Sequence, residues 1–201
     1  MKRTLISGII LLLLIGFTGT VSATTISVTG LNGWTPVQFT YNQTWNEYAG
    51  EILLNIDGHQ TSGYCIDLYD TTRVPSGPFT TNLTALDQNW ELQAAWLMNQ
   101  YGGRSTVENA ALQVAIWKLE YNGLVYTGST SEGSVGDYLQ TYLTALGDNT
   151  YDSAGYEIAP LAPNAQNLLV KASAPVPEPT TMLLLGSGLI CIAGFRKKIK
   201  K

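Results

Sequence analysis

The body of this chain has little positive charge. Between Thr24 and Val176 only Arg73, Arg104, Lys118 and Lys171 carry fixed positive charge, against fourteen acidic residues, a balance of −10 that the basic termini reduce to −4 for the whole chain. Such a surface repels polyphosphate, which argues against nucleic acid as a partner. Histidine is scarcer still, since His59 stands alone. Asp57, His59, Asp67 and Asp70 are rich in ligand atoms, but their spacing fits neither a zinc site nor a calcium loop. A glycine-rich phosphate loop is missing as well, so no cofactor is expected.

Cysteine is the third scarcity. Of two cysteines, Cys191 lies in a C-terminal apolar run, which leaves Cys65 without a disulfide partner in the body. Exported domains usually pair their cysteines. Cys65 is therefore either an inert buried side chain or a sulfur with other chemistry.

The expectation of export comes from the first residues. Met1-Lys2-Arg3 leads into an apolar run from Leu5 to Phe17, closed by Val21-Ser22-Ala23. That order of basic, apolar and small residues is a secretory signal peptide over residues 1–23. One extracellular domain over residues 24–173 follows, of the usual size for a single core. Residues 174–179, Ala-Pro-Val-Pro-Glu-Pro, read as an extended linker. Residues 180–201 combine an apolar stretch from Met182 to Phe195 with Arg196, Lys197, Lys198, Lys200 and Lys201, a cluster that should stay cytoplasmic. As a helix, Thr180 to Phe195 reaches roughly 24 Å against about 30 Å of hydrocarbon, a marginal permanent anchor.

Within the body, strand-like alternation dominates from Thr25 to Tyr69. Ile26 and Val28, then Val37, Phe39 and Tyr41, alternate with polar residues, and Glu51 to Ile56 runs into the hairpin signal Asp57-Gly58. Gly63 to Tyr69 is expected as a strand with Tyr64, Ile66 and Leu68 on one face and Cys65, Asp67 and Tyr69 on the other. Three helices follow. The first holds Trp90 to Met98, capped by Thr84 or Asp87; the second starts at the capping box Ser105-Thr106-Val107-Glu108 and is apolar nearly all round; the third starts at Ser134. Strands return at Tyr156 to Ile158 and Leu168 to Ala172. This order predicts an α+β fold, a β-sandwich or barrel interrupted by a helical subdomain.

Two resemblances add function. Val176-Pro177-Glu178-Pro179-Thr180, the apolar stretch and the basic end resemble the PEP-CTERM sorting signal of Gram-negative bacteria. That resemblance implies an exosortase-type enzyme that recognises Pro177, Glu178 and Pro179 and removes the tail. The domain would be held transiently in the inner membrane and then passed to the cell surface or an extracellular matrix. Tyr64-Cys65-Ile66-Asp67, Leu92-Gln93-Ala94-Ala95-Trp96-Leu97 and Leu112-Gln113-Val114-Ala115-Ile116-Trp117 resemble, in order, the motifs of bacterial thioester domains. Carried over, the Cys65 sulfur bonds to the side-chain carbonyl carbon of Gln113; Leu112 departs from that family's usual Thr. The resemblance implies covalent attachment to an amine- or hydroxyl-bearing surface or matrix target rather than turnover.

The residues themselves leave room for that chemistry. An unpartnered buried amide costs on the order of 1–3 kcal/mol, so Gln113 in an apolar helix must find partners, in Asp67 or main chain, or lose its nitrogen. Tyr64, Trp96, Tyr101 and Trp117 are candidate shields against water, with Asp67 in support and Gln93 as a lesser acceptor. Two rivals stand beside this reading: a non-reactive structural or adhesive matrix protein, and a Cys-His hydrolase built from Cys65 and His59.

Overall fold

The structure, a computed structural model, describes residues 23–171 apart from 148, 154, 163 and 164. Nearly all of the expected signal peptide, the linker and the apolar tail lie outside the described residues. The body is mostly β. In chain order its elements are β1 (Thr24–Tyr41), β2 (Gln43–Ile56), β3 (His59–Cys65), β4 (Ser76–Thr81), β5 (Thr84–Ala85), α1 (Asn89–Tyr101), α2 (Thr106–Glu120), β6 (Val125–Tyr126), α3 (Val135–Leu146), β7 (Tyr156–Ala159) and β8 (Leu168–Lys171).

The strands form one curled, half-barrel sheet in the order β4-β1-β2-β3-β8-β7-β5, with β6 added against β1. The two facing layers of a sandwich are therefore replaced by a single sheet that bends on itself. Its curl begins in the long β1–β2 hairpin, where the register shifts between Val28 and Gly30 and again between Asn32 and Trp34. Each shift inserts an unpaired residue, which raises local twist. Gly33 sits in the second with φ +72°, and a side chain on Gly50 opposite would come within 2.2 Å of the Gly33 carbonyl oxygen. Only glycine permits that approach.

The expected Asp57-Gly58 hairpin is present, with φ values of 49° and 87°. Both central residues being left-handed suits the twist of the strands it joins. Alternation buries Ile26, Val28, Val37 and Phe39 on one face of β1. The strand expected to run to Tyr69 stops at Cys65 instead. Asp67 explains the stop, because its Oδ1 accepts from the main-chain N–H of Tyr69 at 2.9 Å and of Asp70 at 3.4 Å, turning the chain out of the ladder.

Helix α2 is the centre of the core. Every residue from Asn109 to Trp117 is buried, against β1, β2 and β3 on one side and α1 and α3 on the other. Its expected capping box forms: Ser105 accepts from the Glu108 N–H while a Glu108 carboxylate oxygen accepts from the Ser105 N–H at 3.3 Å. Ser134 caps α3 as expected, though Asp137 turns to the N–H of Gly133 rather than closing a box. The cap of α1 is neither Thr84 nor Asp87. Thr84 is held in β5 opposite Ile158, and Gln88 caps the helix with Glu91, whose carboxylate accepts from the N–H groups of Asp87 and Gln88.

Candidate functional site

A gap in the sheet creates the site. Pairing between β2 and β3 ends at Ile52 and Gly63, so β2 does not reach Cys65, whereas β8 still pairs with it through Leu168. In an antiparallel ladder the N–H and C=O of one residue point to the same side. Ile66 donates toward Asn167 on the β8 side, so Cys65 faces the vacated β2 side. Gln113 of α2 fills that place. The Cys65 N–H donates to Gln113 Oε1 at 3.0 Å, and Gln113 Nε2 donates to the Cys65 carbonyl at 2.6 Å. A side-chain amide thus replaces the missing strand, and it is main chain, not Asp67, that satisfies the buried Gln113.

One turn earlier on α2, Asn109 makes the matching contact with the neighbouring residue. Its Oδ1 accepts from the Tyr64 hydroxyl at 3.0 Å and from the Arg104 N–H at 3.1 Å. Its Nδ2 donates to the carbonyls of Asn32 and Arg104 and, at 3.5 Å, to the buried Glu51 carboxylate. Glu51 also accepts from Asn32 and Ser62. Residues four apart lie on one helix face, so Asn109 and Gln113 together fix the height of α2 against Tyr64 and Cys65.

The Cys65 thiol points elsewhere. It donates to Gln166 Oε1 at 2.9 Å, and Gln166 is held in turn by Nε2 donating to the Asp67 carbonyl at 2.9 Å and by its N–H donating to Thr72 Oγ1 at 3.1 Å. Burial pushes the thiol well above the usual cysteine range, with Asp67 and Glu47 adding to the shift. It is a protonated thiol, not a free thiolate nucleophile. Cys65, Gln113 and Gln166 line a cleft of about 410 Å³ whose other walls include Trp34, Tyr48 and Val74. Among the described residues that line it, none is charged.

The expected shields are not at this cleft. Tyr64 is fully buried on Asn109, Trp117 packs 5.5 Å from Phe39, and Trp96 sits edge-on to Tyr101 and Tyr151. All four are placed by the core around α1 and α2, whereas exposed Trp34 and Tyr48, an edge-on pair with ring centres 4.7 Å apart, stand at the cleft. Gln93 is half-buried on α1 and away from the cleft lining. His59 and Cys65 occupy opposite ends of β3. Six steps of extended chain separate them by roughly 20 Å, so they form no dyad. Among the described residues, no three His, Cys, Asp or Glu side chains gather to hold a metal.

Residues 175–198 match the PEP-CTERM protein-sorting motif. The chain carries an exosortase-type sorting tail. A PEP-CTERM tail implies processing by an exosortase and export by membrane-associated sorting to the cell surface. No curated protein and no solved structure matches the chain. The body upstream of the PEP-CTERM tail is therefore read from its own geometry.

In that body, Gln166, Asn109 and Glu51 are the site residues that sequence reasoning passes over. A polar residue inside the apolar run of α2 marks Asn109 as well as Gln113, so a signal for it exists. Gln166 has none, since its neighbours are ordinary loop residues. A further group, half-buried, ends α2: its partial burial, with Asp67 next, raises the Glu120 carboxyl from 4.5 to about 8. A folded value above the unfolded one means stability is full below about pH 4.5 and falls as pH rises toward 8. Glu120→Gln should remove that fall. In thermal melts from pH 5 to pH 8 its advantage over the parent grows with pH, by about 2–4 °C for each kcal/mol recovered; a pH-independent difference would mean the carboxyl is ionised throughout.

Proposed function

We propose that the exported body is a one-shot covalent attachment module whose reactive bond is a thioester between Cys65 and Gln113, released to the surface through the PEP-CTERM tail. The observation that carries this reading is the clamp of the Gln113 carboxamide on the main chain of Cys65, at an uncharged cleft that opens to solvent. Bond formation joins the Cys65 sulfur to the Gln113 side-chain carbonyl carbon. The thiol proton passes to the departing nitrogen, which leaves as ammonia. Throughout, the Cys65 N–H that donates to Gln113 Oε1 is placed to hold the negative charge that develops on that oxygen.

Attack by an amine on the stored thioester then forms an amide on Gln113 and returns the proton to sulfur. A hydroxyl-bearing target would leave an ester instead. Neither event regenerates the starting bond, so the protein attaches once and does not turn over. Its cleft carries no like charge to repel an amine, and the acidic body attracts cations from a distance.

A second reading has its own support. Because the Gln113 amide is fully partnered and the thiol already has an acceptor, the same contacts serve a non-reactive structural or adhesive protein. Intact mass of the exported protein separates the two. The thioester form is lighter by one ammonia, the deficit disappears in Cys65→Ala, and methylamine adds one equivalent to the parent alone. A parent protein of full mass, inert to methylamine, leaves the structural reading.

A further inference from the structure

Among the described residues the thiol of Cys65 has one acceptor, and that acceptor is locked. Gln166 presents Oε1 to sulfur at 2.9 Å while its Nε2 donates to the Asp67 carbonyl. Turning the amide over would aim an N–H at sulfur but set Oε1 against that carbonyl, two acceptors facing each other. The Asp67 carbonyl therefore fixes which end of Gln166 meets Cys65, and the Thr72 hydroxyl fixes the main chain beneath it.

An acceptor held in this way discriminates between the two states of the sulfur. A thiol gives it a hydrogen; a thioester sulfur has none to give. We propose that Gln166 is a positioning residue that acts as a latch on the opened site, accepting the S–H that forms when an amine attacks and so favouring attachment over return of the thioester. This rests on the thioester reading. In the step itself the C–S bond of the Cys65–Gln113 thioester breaks with its electron pair on sulfur, a C–N bond forms to the amine, and the proton lost by the amine ends on sulfur. Gln166 neither gives nor takes a proton; it orients the one that arrives. Burial, which disfavours a bare thiolate here, gives this contact its weight.

The test is the rate at which methylamine opens the exported protein, followed by intact mass and by release of a titratable thiol. Gln166→Met keeps the length and removes the acceptor. It should slow opening roughly three- to tenfold, the range spanned by one neutral hydrogen bond. Gln166→Glu keeps an acceptor oxygen and, while protonated, an O–H for the Asp67 carbonyl, a donor it loses only on ionising, and should open within about twofold of the parent at pH 5. Its rate relative to the parent should then rise with pH as the new carboxylate ionises. A residue that merely braces the Asp67 turn would make Gln166→Glu fall to the rate of Gln166→Met as its carboxyl ionises and the donor to Asp67 is lost, and that result overturns the latch, as does Gln166→Met opening at the parental rate. If Gln166→Met does not fold, a Glu-to-parent rate ratio that stays constant from pH 5 to pH 8 overturns it alone. A parent protein without the ammonia deficit fails earlier, at the thioester reading, and removes the latch with it.

Discussion

Methylamine treatment of the exported protein is expected to lower its melting temperature by roughly 8–16 °C, the equivalent of about 4 kcal/mol in a domain of this size. The figure follows from the loop that a Cys65–Gln113 bond would close. That loop runs from the end of β3 through β4, β5 and α1 to the middle of α2. If the cross-link acts as a disulfide does, closing about 50 residues removes chain entropy from the unfolded state worth about 4 kcal/mol. The opened product is a secondary amide whose ordinary trans form sets the methyl beside the carbonyl oxygen and the one N–H on the far side, so the bond from the Cys65 N–H to Gln113 Oε1 remains available while the bond from Nε2 to the Cys65 carbonyl is lost. Cys65→Ala keeps the primary amide and both bonds, so its melt reports loss of the cross-link alone. Cys65→Ala should melt near the methylamine-treated parent and should not respond to methylamine. Equal melting temperatures before and after a mass change of one methylamine would show that the cross-link braces nothing.

How far the sequence foretells this arrangement depends on the range of the forces involved. The capping box at Ser105 and Glu108, the Ser134 cap and the Asp57-Gly58 turn are each decided within four residues, and each forms as the sequence predicts. The end of β3 is also local, but it is set by the Asp67 side chain turning back on Tyr69 and Asp70, a competitor that alternation alone does not reveal. Long-range features are less legible. That the strands form one curled sheet depends on the bulges at Thr29 and Gly33 and on the contact between Gly50 and Gly33, which pairing brings together from different strands. Gln166 meets Cys65 only because β8 pairs with β3, a contact across 101 positions. For the aromatic residues, neighbourhood in sequence favours Trp96 and Trp117 over Trp34 and Tyr48, which a distant hairpin carries to the cleft.

The second large effect is expected at Asn109, which the thioester reading does not require to be reactive. Asn109→Ala should cost roughly 2–4 kcal/mol, most of it from leaving the buried Tyr64 hydroxyl without its partner, about 1–3 kcal/mol, and the rest from the neutral hydrogen bonds to the main chain of Arg104, an exposed residue that water can serve in part. Glu51 loses one of its three donors at the same time, leaving a buried carboxylate that depends on Asn32 and Ser62 alone. Asn109→Asp should be worse than Asn109→Ala above neutral pH, because a second carboxylate replaces the amide that faces Glu51. Asn99→Ala on the exposed side of α1 is the control, within about 0.5 kcal/mol of the parent. Urea melts measure all three. The effect should also reach the reactive pair. Asn109 and Gln113 hold adjacent residues of β3 from one helix face, so loosening the first lets α2 slide and carries the Gln113 carbonyl away from Cys65. The fraction of Asn109→Ala protein lacking one ammonia should fall below that of the parent, at a temperature where both are folded. An Asn109→Ala variant within about 1 kcal/mol of the parent, with its ammonia deficit unchanged, would mean that Gln113 is positioned by the apolar packing of α2 and not by the polar network one turn away.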